Sequence, residues 1–165
     1  MVRKAIRPVQ LNDVISTAFE DDGSLLNPTL RGHLVIEALL VELITTVEAG
    51  DHIWKWGFPV KTNFALDHNL ITGGIKQALD CFNDFRNDFA HIFGFAITDH
   101  DVHQLARRLE KHGVDFSDSV GHQPFKEAMQ SYGGEAGILS EILWCLAFEL
   151  AHSLMERGGR DLFST

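Results

Sequence analysis

The sequence predicts an all-α fold, a single-domain bundle of four to five helices. Apolar residues recur at intervals of three and four along several stretches, which is the helical period, and no stretch shows strand-like alternation. Residues that start or stop helices bound most of these stretches. A chain of 165 residues that is 45% hydrophobic and 22% charged also has the size and composition of one globular domain, so we expect a single domain over residues 1–165.

The N-terminal third is expected to supply the central helix of the bundle. Residues 1–8 are predicted to form a loose arm, and a short helix is predicted to start near residue 12. Asn27 and Pro28 then mark a helix start, with Asn as the N-cap and Pro at the first helical position. Gly50 marks its end, after residues 28–49. The helix is apolar on nearly every side, which is typical of a central position.

An aromatic loop and two helices are predicted in the middle of the chain. The loop spans residues 51–60, and its Trp54 and Trp56 either cap the core or clamp a partner. A short helix over residues 61–68 follows. A long helix over residues 72–93 comes next, because Thr72 is a good N-cap and a strong apolar period begins behind it.

The two sides of this long helix differ in chemistry. Its apolar stripe consists of Phe82, Phe85, Phe89 and Phe93. Its other side carries Asn83, Asn87 and His91, with Arg86 at the border between the two sides. The pattern predicts a helix that is anchored by phenylalanines and presents an exposed polar face to an anion or a polar partner.

The C-terminal half is predicted to contain three more helices. Thr98 caps a helix over residues 99–111, and Pro124 opens a short one over residues 124–131. A long apolar helix follows over residues 135–157, and residues 159–165 form a C-terminal tail.

Charge and hydropathy exclude several classes of protein. The net charge is −9, so no general attraction to nucleic acid or to an anionic membrane is expected, and any such contact needs a local patch. Direct DNA binding is disfavoured, because no helix-turn-helix with a basic recognition helix is visible. No run approaches the roughly 18 apolar residues of a membrane span, and no signal-like run follows the N-terminus. We therefore expect a cytoplasmic protein, with Cys81 and Cys145 as buried thiols or, alternatively, a disulfide.

Metal and nucleophile chemistry find little support. Glu149 and His152 have the i, i+3 spacing of di-metal bundles, but such sites need a second pair and two further glutamates. The cluster from Asp99 to His103 lies at a helix N-terminus, which repels cations. No HExxH, phosphate loop or serine elbow occurs. We predict no metal and no cofactor.

Arg86 and His91 are the strongest candidates for a functional site. Arginine offers a fixed fork of donors to a phosphate, and histidine transfers protons near neutral pH. Five positions apart on a helix they diverge by roughly 140°, so a symmetric dimer would be needed to bring two pairs into one cleft. His33 and Glu37 are i, i+4 neighbours on the central helix. The favoured interpretation is that they pair on their own helix or make a polar contact with the Phe-rich helix. Alternatively, they support the Arg86 site, as Asn83 would.

Residues 86–91, Arg-Asn-Asp-Phe-Ala-His, resemble the R-polar-x-x-x-H signature of the HEPN superfamily. These are small all-α proteins, many of them metal-independent endoribonucleases and some of them toxins of toxin–antitoxin pairs. A longer set of residues resembles the mannitol-operon-repressor-like branch of the superfamily. That set comprises Arg31-Gly32-His33-Leu34, Glu37-Ala38-Leu39-Leu40, Phe58, Lys61, Asn69-Leu70-Ile71 and Phe85-Arg86-Asn87-Asp88-Phe89-Ala90-His91.

The resemblance implies two alternative functions. In the first, Arg86 binds the scissile RNA phosphate, Asn87 orients the site, and His91 transfers a proton as the 2′-OH attacks. In the second, the protein is a non-catalytic transcription-regulatory or protein-interaction molecule like the repressor-like relatives. Asp84 and Asp88 flank the motif and would repel phosphate, so both alternatives stay open. Both imply a homodimer, with RNA or another protein as partner.

Overall fold

The fold is known from a computed structural model that describes residues 10, 25–91, 97–116 and 120–163, with the side chains of residues 89–91 left out. The predicted N-terminal arm, the predicted helix near residue 12, and Phe93 lie outside the described residues. Six α-helices and one 3₁₀ helix occur in this part of the chain. They are α1 (Leu26–Ile44), the 3₁₀ helix (Asp51–Lys55), α2 (Phe58–Asp67), α3 (Gly73–His91), α4 (Asp99–Lys111), α5 (Phe125–Tyr132) and α6 (Glu135–Glu156).

The all-α prediction is confirmed, since the described residues contain no strand. Four of the helices are long, and two, α2 and α5, have only ten and eight residues. The long α1 and α6 pack along each other at the centre, as their apolar circumference predicts. They approach closely at Gly32, where a Cβ atom would stand 2.5 Å from a methyl carbon of Leu143. A larger residue at this crossing would force the Leu143 side chain to move.

The predicted end of the central helix at residue 49 is wrong, because α1 ends at Ile44. The hydroxyl groups of Thr45 and Thr46 donate to the carbonyls of Glu42 and Leu43, at 2.6 and 2.7 Å. Such local side-chain bonds compete with the helical pattern and end it earlier than the glycine signal indicates.

Helix α4 begins and ends where the sequence predicts. The side-chain oxygen of Thr98 accepts from the backbone N–H of Asp101, and the Asp101 carboxylate accepts from the N–H of Thr98. The signal at this helix start is local, which is why the sequence predicts Thr98 as the cap. By contrast, α2 starts at Phe58, three residues before the predicted start, with Pro59 in its first turn.

The segments outside the long helices pack against the core. Trp54 lies in the 3₁₀ helix and Trp56 follows it, and both are partly buried against the hydrophobic core. Near the C-terminus, the Arg160 guanidinium donates to both carboxylate oxygens of Glu42, at 2.6 and 3.1 Å, and Leu162 is buried.

Of the helices in the described ranges, α6 is long and apolar enough to cross a membrane, and 56% of its most apolar stretch is buried inside the protein.

Candidate functional site

A buried polar cluster joins α1, α2 and α3, and we call it the polar cluster. Its members are His33, Glu37, Lys61, Asn83 and Arg86. Three helices meet here because α1, α2 and α3 all pack against one another. The cluster contains all three residues that the sequence predicts as supporting groups.

His33 and Asn83 form the centre of the polar cluster. His33 Nε2 lies 3.0 Å from Asn83 Oδ1, and both side chains are buried. The imidazole ring packs against Phe58 and Phe82, at centroid distances of 4.6 and 6.2 Å. The predicted exposed position of Asn83 is wrong: α1, α2 and α4 all cover α3, so its buried face is wider than the phenylalanine stripe.

His33 is held in its neutral form. Its pKa is lowered from 6.5 to about 4, mainly by burial and next by the positive charge of Arg86. The carboxylate of Glu37 and the bond to Asn83 act in the opposite direction but are weaker. Since Asn83 Oδ1 only accepts, the ring proton lies on Nε2, and Nδ1 is a bare acceptor. Nδ1 is buried and has no hydrogen-bond partner within the described part of the chain.

Lys61 is the most deeply buried charged residue of the polar cluster, at 1% exposure. Its Nζ donates to Glu37 Oε1 at 2.5 Å and to the carbonyl of Trp56 at 2.6 Å. Glu37 therefore pairs with Lys61 on α2. Of the two residues predicted to contact the Phe-rich helix, only His33 does so, through Asn83. Lys61 also ties the aromatic segment around Trp56 to α1 and α2.

Arg86 lies at the edge of the polar cluster and is half-buried. Its Nη1 donates to Asn87 Oδ1 at 2.7 Å. Its Nε is buried and has no hydrogen-bond partner among the described residues. Within that same part of the chain, no carboxylate forms an ion pair with Arg86. The neighbouring Asp84 and Asp88 are exposed. The guanidinium is thus oriented by the neutral amide oxygen of Asn87, and no described carboxylate neutralises its charge.

His91 is the last residue of α3, and its side chain is outside the described part of the structure. The helix is continuous from Arg86 to His91, which keeps the expected divergence of roughly 140° between them. Their side-chain geometry stays a prediction.

Metal ligation is not favoured by the residues that the structure describes. No group of three or more His, Cys, Asp or Glu side chains in these ranges could hold a metal ion. His152 lies 3.8 Å from Glu156 rather than beside a second Glu-x-x-His pair. Both cysteines are free thiols, and burial raises the pKa of each.

The sequence does not predict Lys61 as a member of this site, although Lys61 belongs to the set of residues that resembles the repressor-like branch. A lysine two positions after a helix-starting proline normally points to solvent. Its partner Glu37 is 24 residues away, and a single sequence carries no signal for that pairing.

No protein-family model, curated protein or solved structure matches the chain. The resemblance to the HEPN superfamily accordingly rests on the residues of the chain itself.

Proposed function

We propose that the chain is a HEPN-like protein that binds RNA and cleaves it without a metal ion. Arg86 would bind the scissile phosphate, and His91 would transfer the proton as the 2′-OH attacks. The observation that carries the proposal is the state of Arg86: its guanidinium is oriented by Asn87 Oδ1 at 2.7 Å and forms no ion pair with a described carboxylate. An arginine in this state has donors left for a phosphate.

The polar cluster supports the proposal by fixing the base of the site. The His33–Asn83 and Lys61–Glu37 contacts join three helices just below Arg86. A rigid base is what a phosphate-binding arginine requires, because misplacement of a catalytic group by one ångström is costly. Since α3 separates Arg86 and His91 around its circumference, we further propose that a homodimer completes the cleft.

The test is cleavage of single-stranded RNA by the full chain in EDTA. Arg86→Lys keeps the charge but loses the bidentate fork, and His91→Asn keeps a polar side chain without the proton transfer. Both are expected to lower the cleavage rate by at least about a hundredfold, the usual contribution of a proton-transfer or oxyanion group. Arg107→Gln, at an exposed arginine of α4, is the matched control and should cleave normally.

Binding is measured separately with a DNA oligonucleotide of the same sequence, which lacks the attacking 2′-OH. Intact RNA after incubation with a folded dimeric wild-type protein would overturn the enzymatic proposal. So would a cleavage rate that stays unchanged in both variants.

A second candidate function is supported by Asp84 and Asp88. Both are exposed one turn or less from Arg86, and they would repel a phosphate there. In this alternative Arg86, Asn87 and His91 form a non-catalytic protein interface of the repressor-like type. Arg86→Ala would then weaken self-association or partner binding in sedimentation experiments and leave RNA untouched, whereas unchanged sedimentation would contradict it.

A further inference from the structure

A cavity that Arg86 does not line lies between α6 and the segment that follows α4. Its volume is about 270 Å³, and it is lined by Asp115, Trp144, Cys145, Phe148 and Glu149. We call it the acidic cavity. Two walls are aromatic, and Phe148 at the rim is 41% exposed. Two carboxylates complete the lining.

Local structure explains why these groups meet. Along α6, Trp144 and Phe148 are i, i+4 neighbours, and so are Cys145 and Glu149. Asp115 comes from another part of the chain, between the buried Val114 and Phe116. Because the two neighbours are buried, the exposed Asp115 side chain is directed outward, to the cavity that it lines.

The carboxylates of the acidic cavity lack an ion pair in the described part of the chain, although His152 lies on the same helix as Glu149. Neither Asp115 nor Glu149 forms an ion pair within the described ranges. Burial and the charge of Asp115 both raise the pKa of Glu149, and His152 on the same helix lowers it. Burial is the main cause that raises the pKa of the Cys145 thiol, and the negative charges of Glu141, Glu149 and Asp115 raise it further. Three carboxylates therefore act on one buried wall of the cavity.

We propose that the acidic cavity binds an organic cation, a guanidinium or ammonium group carried on an apolar chain. The face of Trp144 attracts such a group through its π electrons, and the carboxylates of Asp115 and Glu149 accept its hydrogen bonds. Its apolar chain would pack against the exposed Phe148 side chain. A volume of about 270 Å³ suits a small alkylguanidinium or the end of an arginine side chain. The net charge of −9 draws cations towards the protein in general.

The experiment is a titration of the full chain with n-butylguanidinium, followed through the indole N–H signals of its three tryptophans. Trp144→Phe assigns the signal of interest. That signal is expected to shift and saturate while those of Trp54 and Trp56 stay in place. n-Butylurea has the same shape without the charge and should produce no shift.

Matched variants locate the binding group. Glu149→Gln removes the charge with little change in shape and should weaken binding by about tenfold, as loss of a hydrogen bond to a charged group does. Glu127→Gln makes the same change at an exposed position of α5 outside the cavity, and should bind like the wild type. Equal shifts with n-butylurea, or an unchanged Kd in Glu149→Gln, would overturn the proposal.

Two further experiments identify the source of the cation and test whether its binding is ionic. A blocked Gly-Arg-Gly peptide tests the source of the cation. Saturation by the peptide assigns the cavity to a basic side chain of a partner, and saturation by n-butylguanidinium alone assigns it to a free small cation.

Acidification should weaken either complex, because protonation of Glu149 removes an acceptor. The groups facing Glu149 are Asp115, Cys145 and His152, and protonation of His152 acts in the same direction. Affinity that rises on acidification would contradict an ionic site.

Discussion

Lys61 and Glu149 are both charged residues on helices that face the interior, but their surroundings differ. Lys61 is 1% exposed, and its amine meets a carboxylate and a carbonyl. Glu149 is only partly buried, shares its cavity with Asp115, and forms no ion pair among the described residues. A charge enclosed by the fold needs partners from the fold, whereas a charge at a cavity can take its partner from solution. The polar cluster thus pairs its own Lys61 and Glu37 charges, whereas the acidic cavity leaves two carboxylates open to a partner from solution.

The largest expected effect comes from removal of Lys61. In Lys61→Met the carboxylate of Glu37 and the carbonyl of Trp56 lose their donor, so the free energy of unfolding should fall by roughly 3 kcal/mol. Urea unfolding followed by far-UV circular dichroism measures this change. Lys126→Met, at an exposed position of α5, is the control and should stay within about 0.5 kcal/mol of the wild type. Equal stability of the two variants would contradict the stabilising role of the buried Lys61 contacts.

The next effect is a pH dependence of stability at His33. Its folded pKa, about 4, lies below the ordinary 6.5, so the unfolded state binds the proton more tightly. Stability from this residue is fully present above pH 6.5 and is lost as the pH falls from 6.5 towards 4. At pH 5 the loss should reach about 2 kcal/mol relative to pH 8.

Urea unfolding at pH 5 and pH 8 measures this loss against two variants. The double variant His33→Leu with Asn83→Leu replaces both partners by apolar groups and should show a loss smaller by about 2 kcal/mol. His52→Gln, at a half-exposed histidine, should keep the wild-type dependence. The same pH dependence in all three proteins would show that His33 is not responsible.

The smallest effect, and one of opposite sign, is expected in the acidic cavity. Glu149→Gln removes a charge that burial and Asp115 disfavour, so stability at pH 7 should rise, but by less than about 0.5 kcal/mol, because solvent screens this partly exposed group. Since the pKa of Glu149 is raised, the difference from wild type should vanish as the pH falls below 4.5. Unfolding curves at pH 7 and pH 4 test the sign, and a clear destabilisation at pH 7 would mean that Glu149 has an internal partner.

Local signals account for the parts of the fold that the sequence predicts. The capping box of Thr98 and Asp101 and the apolar circumference of α1 and α6 are each contained in a short stretch of chain. The end of α1 was less predictable, because two threonine hydroxyls outweigh a later glycine.

Pairings over long distances in the chain account for what the sequence does not predict. The contact between His33 and Asn83 spans 50 residues, and helix periodicity alone places Asn83 on the exposed side. Asp115 and Trp144 come together only when α6 packs beside the segment after α4. Arg86 and Asn87, by contrast, are adjacent on one helix, so the sequence brings them together directly.

The enclosure of Lys61 has a consequence for chemical labelling of the protein. Reagents that acylate amines need an accessible, deprotonated Nζ, and this one is 1% exposed and held by two acceptors. Lys55 and Lys126 are exposed and should be modified in the native state. Lys61 should react only when α2 separates from α1. The rate at which mass spectrometry detects its modification therefore measures the rate of local unfolding of the bundle.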